Sequence, residues 1–268
     1  MFRPVVLVLF LTALVSSPIK AQTTTPARDP QAVTLIASSL KALTGGVAVN
    51  DVTLQASATY VAGSDEESGT ATLTASGNRQ SLVQLNLSGG TRQEIRDGPA
   101  GAWSGPDGTA HSMAIHNCWT DASWFFPALT LEAIAADPQT AVSYLGPDSS
   151  KGRPLLHLQV TRVPPGQSAD LTALIQRLSR MDIYLDPQSF LPLILDFNTH
   201  PDADAGTNIP VEIQFGSFQK NNGALVPFRI QKYLQGSLLL DLVVTNVSIN
   251  SGVSSSVFTL PPTTGGAQ

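Results

Sequence analysis

The four histidines and the single cysteine are the first places to look for chemistry in this chain of 268 residues. His111, His116 and Cys118 fall in one short stretch, with Asp121 just beyond. Imidazole, thiolate and carboxylate are zinc-ligand types. Structural zinc sites, however, use ligands paired two to four residues apart and usually several thiolates, and this spacing fits none of those patterns. If the stretch is a strand, His116 and Cys118 share a face. A local polar cluster beside a buried cysteine is the better account, and no metal site is assigned. His157 lies between Leu156 and Leu158 on the polar face of an alternating run, so solvent exposure is expected there rather than general-base work. His200-Pro201-Asp202, with Asp204 close by, reads as a solvated turn.

Other catalytic signatures are missing from the pattern. No serine sits in a G-x-S-x-G elbow. Residues 98–108 read as a glycine- and proline-rich loop around Trp103, but lack the lysine-serine ending of a phosphate loop. Arg177 and Arg180 are expected to be solvated charges at the end of a helix, where the dipole favours cations. The chain is therefore expected to be non-catalytic and to need no cofactor.

A binding role needs less. An acyl chain asks only for a dry, concave, apolar surface, each buried methylene contributing about 0.8 kcal/mol. Leu156, Leu158, Ile213, Phe215, Leu238, Leu240 and Leu242 are the candidates for such a surface; the plainer alternative is that they only meet the helices. Trp119, Trp124, Phe125 and Phe126 are candidates for a lid or a partner contact, against a satellite core.

The elements that must position these residues follow from periodicity. Asp29-Pro30 reads as a cap and first turn, Val33, Ile36, Leu40 and Leu43 follow at helical spacing, and Gly45-Gly46 stops the helix. From residue 47 to 97 the pattern turns to short alternating runs, such as Val83, Leu85 and Leu87 against Gln84 and Asn86. Gly63-Ser64-Asp65, Gly77-Asn78 and Gly89-Gly90 supply the turns of a meander. Pro127 opens a helix through Leu131, Ile134 and Ala135 to Asp137-Pro138. Strands are expected at 141–145 and 155–163, and a helix over 168–180 with the stripe Leu171, Leu174, Ile175, Leu178 and Met181. Strands then return. Ile209, Val211, Ile213 and Phe215 alternate with Pro210, Glu212 and Gln214, and Val226, Phe228 and Ile230 with Pro227, Arg229 and Gln231. Residues 237–249 are apolar on both faces. No repeat or linker divides the chain, so one sheet with helices on one side is the simplest organisation.

The start of the chain has the order of a secretory signal: Arg3, an apolar run from Val5 to Val15, then small residues and a cleavage point after Ala21. That run is short for a membrane span, which needs about 20 residues. The whole chain carries a formal charge of −5, and a signal containing Arg3 and Lys20 would leave the remainder more acidic. Without a basic cluster there is no reason to expect nucleic acid. One cysteine excludes an intrachain disulfide.

Three C-terminal elements carry a family resemblance. They are Ile183-Tyr184-Leu185-Asp186-Pro187 followed by the apolar run from Leu191 to Phe197; Gly223-Ala224-Leu225-Val226-Pro227-Phe228-Arg229-Ile230; and Val247-Ser248-Ile249-Asn250 with the closing Val257-Phe258-Thr259-Leu260-Pro261. In this order they resemble the lipoprotein-carrier-like superfamily of periplasmic lipoprotein carriers, their outer-membrane receptors and related envelope proteins. The resemblance implies a mainly β fold with some α. Its core is a strongly curved antiparallel sheet, an incomplete β-barrel, with helices packed on the concave side. It also implies a periplasmic location and an apolar concavity that holds a lipid, an acyl chain or an acylated protein. Such carriers place a basic residue near the cavity mouth; the choice among Arg79, Arg92 and Arg96 stays open. The alternative is an envelope protein-interaction or sensing domain whose cavity is filled by its own residues. The expected organisation is a signal peptide at 1–21, a flexible lead at 22–28, one half-barrel domain at 29–260 and a flexible tail at 261–268.

Overall fold

The computed structural model describes residues 26–77 and 79–263. The expected signal segment and its cleavage point lie outside these residues, as does the end of the expected tail. The first helix, α1 (Pro30–Thr44), begins where its sequence says it should: the Asp29 carboxylate accepts from the Gln31 amide at 2.8 Å and proline occupies the first turn. Gly45 ends it in the left-handed region at φ 62°, its amide donating to the Lys41 carbonyl. Glycine is the residue that adopts this conformation without strain.

Two antiparallel meanders follow. The first contains β1 (Asp51–Ala62), β2 (Asp65–Ser76), β3 (Gln80–Leu87), β4 (Gly90–Asp97), β5 (Ala100–Ser104) and β6 (Ala110–Ser112). The second contains β7 (Thr140–Asp148), β8 (Leu155–Arg162), β9 (Met181–Leu185), β10 (Pro192–Thr199), β11 (Ile209–Asn221), β12 (Ala224–Leu234) and β13 (Ser237–Ile249). Pairing of β1 with β13 joins them into one thirteen-stranded sheet, ordered β6-β5-β4-β3-β2-β1-β13-β12-β11-β10-β9-β8-β7. The two ends do not pair with each other, so the sheet is open. This is the mainly β architecture with an unclosed, curved sheet that the sequence leads one to expect.

Because β6 and β7 are the two opposite edges, the chain between them must cross the whole sheet. It does so on the concave side, through a 3₁₀ turn (Ile115–Cys118) and α2 (Pro127–Ala136). Every residue from Asp121 to Leu131 is buried. Phe125, Phe126, Leu129 and Leu131 join one core with Leu54 and Leu73 of the first meander and Leu158, Ile183, Ile213 and Ile230 of the second. α1 packs on α2 and reaches β7 and β12. Arg28 serves the exposed carbonyls at the C-terminus of α2, donating to Asp137 at 3.0 Å and to Ile134 and Thr140. α3 (Ala169–Leu178), capped by the Ser168 hydroxyl, bridges β8 and β9 and leaves Leu171 and Leu174 exposed. On the convex side a last 3₁₀ turn (Ser255–Phe258) lies against β3 and β4 and buries Phe258 completely.

Two local expectations change. The glycine-rich stretch 98–108 is not all loop, because β5 runs through it; Trp103 pairs with Glu94 on one side and His111 on the other. His116 and Cys118 lie on a 3₁₀ turn rather than a strand, so the shared strand face does not exist.

The first meander contains a close backbone approach that only glycine permits. Gly69 of β2 pairs with Leu87, and a Cβ placed on it would stand 2.0 Å from the Asn86 carbonyl oxygen. Strand glycines mark such close backbone approaches. Gly69→Ala is expected to force β2 and β3 apart and destabilise the protein by about 1–3 kcal/mol, the usual cost of overpacking. Urea unfolding of the two proteins measures this; an unchanged midpoint would show that β2 and β3 accommodate the added methyl.

Candidate functional site

Strand pairing fixes which side chains face the concavity. On β8 they are Leu156, Leu158 and Val160, and on β11 Val211, Ile213 and Phe215. Leu158 and Ile213 are fully buried, Phe215 nearly so, and Leu156 is half-buried against the same core. Leu240 and Leu242 of β13 also point inward, opposite Lys232 and Ile230. A β-bulge at Lys232/Tyr233 changes the register beyond them. Leu238 therefore pairs with Tyr233, on the side that carries Glu212 and Gln214, while Leu239 takes an inward place beside Leu240. Of the aromatic cluster, Trp124, Phe125 and Phe126 are buried in the core; Trp119 is half-buried and its carbonyl accepts from Arg162 at 3.0 Å.

The connector does not fill the whole concavity. Two hollows of about 400 and 430 Å³ remain on the concave side. They share Glu94, Trp103, Trp124, Lys232 and Leu239 in their walls, so they adjoin. One is the more oily: Tyr60, Val83, Leu85, Pro106, Leu239 and Leu240 contribute to it. The other is bounded by Phe197, Val211 and Leu234 together with Arg96, Asp121, His200 and Asp202. Trp103, 41% exposed, stands between them and stacks on His111 at 4.5 Å. Each volume lies in the range of small-ligand sites, about 300–1,000 Å³.

Charges at this mouth are arranged rather than scattered. Arg92, Glu94 and Arg96 alternate along β4 on the inner side. Arg92 makes a two-pronged ion pair with Glu67, at 2.9 and 2.7 Å, and its guanidinium lies 4.7 Å from the Tyr60 ring. Hydrogen bonding to Arg92 holds the Glu67 carboxyl below its usual range. The Lys232 ammonium sits 4.6 Å over the Trp124 ring, a cation–π contact. Arg96 is almost fully enclosed and donates to the Thr120 carbonyl at 3.0 Å. Arg79 is elsewhere, paired with Asp137 at 3.1 Å. Of the three arginines left open by the sequence, Arg92 and Arg96 thus wall the hollows and Arg79 does not. The sequence reading passed over Lys232, Glu94 and Leu239. The first was visible two residues beyond Ile230 on the same alternating face; the third depends on the bulge.

The histidine region is more enclosed than its sequence suggests. Asn117 clamps the 3₁₀ turn to the end of β10, accepting from the His200 amide at 2.9 Å and donating to its carbonyl at 2.9 Å. His200 is 3% exposed, not solvated, and its Nδ1 lies 2.9 Å from the Thr207 carbonyl. Burial lowers its pKa. His116 lies edge-on to it at 5.8 Å, and burial pushes the Cys118 thiol up. His157 is also less exposed than expected. It bonds Asp182 at 2.8 Å and stacks on Tyr184 at 4.4 Å, on the convex face. Arg177 and Arg180 are engaged too, with Ala205 and Asn208 and with Asp182. Near them Lys151 bridges Asp196 at 2.6 Å and Glu212 at 2.5 Å. Among the described residues no group of three His, Cys, Asp or Glu side chains is placed to hold a metal ion, and no helix is long and apolar enough to cross a membrane.

No family model and no curated protein matches the chain. Solved structures do. A domain from Vibrio parahaemolyticus described as an outer membrane lipoprotein-sorting protein is 12% identical with a TM-score of 0.53, the match covering 85% of this chain and 96% of that one. A LolA superfamily protein from Nitrosomonas europaea gives the same identity and TM-score over 85% and 97%. A Desulfovibrio piger protein, from a family defined by a domain of unknown function, is 13% identical with a TM-score of 0.53 over 88% and 98%. The chain therefore has the fold of a distant LolA-like protein.

Two measurements probe the electrostatics. A histidine whose folded pKa lies below its unfolded value of about 6.5 contributes full stability above that pH and loses it as pH falls toward the folded value. His200→Asn is expected to flatten the stability decline between pH 7 and 5, as seen by urea unfolding at each pH. Lys151 is held charged by Asp196 and Glu212, which outweigh its burial, so its contribution persists through neutral pH and is lost only above the ordinary lysine range. Lys151→Met is expected to cost about 1–3 kcal/mol at pH 7, between exposed and fully buried ion pairs, and less in acid once the two carboxylates are protonated.

Proposed function

We propose that this chain is an exported cell-envelope binding protein that holds a lipid, an acyl chain or an acylated protein in the concavity of its sheet. The signal-like order of residues 1–21 supports export and a periplasmic location, with residues 29–260 forming one half-barrel domain. The single observation that carries the binding reading is the pair of adjoining hollows left between the crossing connector and the sheet, with leucine, valine and aromatic walls. A preformed apolar hollow needs no catalytic group to act; burial of methylenes supplies the affinity and a polar rim orients the occupant. In this reading Leu240 and the bulged Leu239 contact the ligand directly. Leu156, Leu158, Ile213, Phe215 and Leu242 support the wall, and Trp124 forms its floor. The protein is read as a carrier rather than an enzyme.

One observation favours the second reading, an interaction or sensing domain without a small ligand. The connector already buries Trp124, Phe125 and Phe126 against the sheet, so much of the concavity is self-filled. Native extraction of the purified protein followed by lipid mass spectrometry separates the two. A co-purifying lipid supports carriage. An empty protein that also fails to bind a fluorescent fatty acid removes it and leaves the interaction role.

Leu239 is half-buried and walls both hollows, so it can be changed without opening the core. Leu239→Asp is expected to weaken fluorescent fatty-acid binding by about tenfold or more, through a charge placed against the apolar tail. Val243→Asp, on the opposite face and 51% exposed, is expected to leave binding unchanged.

A further inference from the structure

One wall of the 400 Å³ hollow is closed where the 3₁₀ turn of the connector meets the loop between β10 and β11. The Asn117 side chain takes both sides of the His200 backbone, accepting from its amide and donating to its carbonyl, each at 2.9 Å. It also accepts from the Thr199 hydroxyl at 3.1 Å. Beside it, His116 Nε2 lies 3.0 Å from the Pro201 carbonyl. Asn117, Thr199, His200 and Asp202 all face the hollow. The wall therefore stays shut as long as the turn and the loop hold each other.

The His200 ring at this joint is built for one protonation state. It is 3% exposed, and its Nδ1 lies 2.9 Å from the Thr207 carbonyl, so Nδ1 carries the proton of the neutral ring. A second proton goes to Nε2, which is enclosed and faces no acceptor among the described residues. A buried cation with an unmet donor is among the costliest groups a fold can hold. Its surroundings do not offset that cost. Arg177 of α3 and His116 of the turn oppose a positive ring; Asp204 of the same loop favours one, but burial outweighs it. Around the hollow Glu94, Asp121 and Asp202 are set against Arg96 and Lys232, and none of them is a partner of Nε2. A charged ring gains a partner for Nε2 by turning out to water, and the loop that carries it moves with it.

Resting on the carrier reading, we propose that His200 is an acid-sensitive latch on the hollow: in mild acid its ring takes up a second proton, the loop parts from Asn117 and His116, and the opened wall releases the occupant. At neutral pH the uncharged ring stays enclosed and the wall is shut. Histidine is the side chain whose ordinary titration range makes such a latch workable near neutral pH.

Two measurements on the full-length mature protein test this, each at pH 7.5 and 5.5. The first is the affinity for the uncharged probe N-phenyl-1-naphthylamine. It is expected to fall about fivefold or more at pH 5.5, following the loss of the closed fraction. His200→Asn keeps a donor for Thr207 and cannot titrate, so its ratio of affinities at the two pH values is expected to lie near one. His157→Asn, on the convex face, is expected to keep the ratio of the unaltered protein. The second is amide hydrogen exchange, corrected for its intrinsic pH dependence, which needs no ligand and no variant. Exchange is expected to rise in acid at residues 114–120 and 199–208 while α1 and β1 stay protected. Equal affinity at both pH values, a ratio that His200→Asn leaves intact, or exchange that rises evenly over the chain overturns the latch while carriage stands. Failure to bind the probe at either pH removes the carrier reading, and the exchange pattern then decides the acid opening by itself.

Discussion

The structure depends on a topological constraint: the chain must travel from one edge of an open thirteen-stranded sheet to the other. Each meander is locally simple, with neighbours in sequence paired in space, and β1 meeting β13 fixes the two meanders side by side. That arrangement strands β6 and β7 at opposite ends. The connector between them crosses the concave face, and a backbone crossing an apolar surface must satisfy its own polar groups. The 3₁₀ turn and α2 do this internally, with Arg28 taking the last carbonyls of the helix. The crossing segment is correspondingly apolar, from Trp124 to Ile134, because it meets sheet on one side and α1 on the other.

The packing and the shape of the concavity follow from that crossing. A curved sheet of this size has more apolar surface than two helices and a connector can cover, and the uncovered remainder is the pair of hollows at the mouth. The ionic contacts sit where the covering stops. Arg92 and Glu67 line the rim on the first meander, Lys232 rests on Trp124 at the floor, and Asn117 ties the turn to the end of β10. Together they hold the mouth in shape without a covalent cross-link, as a chain with one cysteine requires. The convex face carries its own polar system around Lys151, His157 and Asp182, separated from the hollow by the thickness of the sheet.

Much of this was written in the order of residues. Asp29-Pro30 and Gly45 marked both ends of α1, Ser168 the start of α3, and Pro127 the start of α2, because caps are local chemistry. The alternation in β3, β11 and β12 fixed which side chains share a face, since side chains in a strand point to opposite sides in turn. The Leu-Asp-Pro element and the closing strands carried the likeness to lipoprotein carriers, which the fold then matched. The same alternation failed at Leu238, where a bulge that no residue type announces moved Leu239 inward in its place. It also missed β5, whose glycines and proline-flanked loop hide a short strand held by its neighbours.

By itself the sequence determined the elements, their caps, the apolar faces and the mainly β class, all of which rest on contacts a few residues long. Only the tertiary structure decided that the aromatic cluster of 124–126 lies in the core, that His200 is enclosed rather than solvated, and that Arg92, Arg96 and Lys232 wall two adjoining hollows. Those facts join residues far apart in the chain, 83 positions for Asn117 and His200 and 140 for Arg92 and Lys232, across a mouth formed by strands from both meanders. Spacing along a sequence carries no information about which distant strand ends come together, because that is fixed by sheet order, register and bulges acting at once.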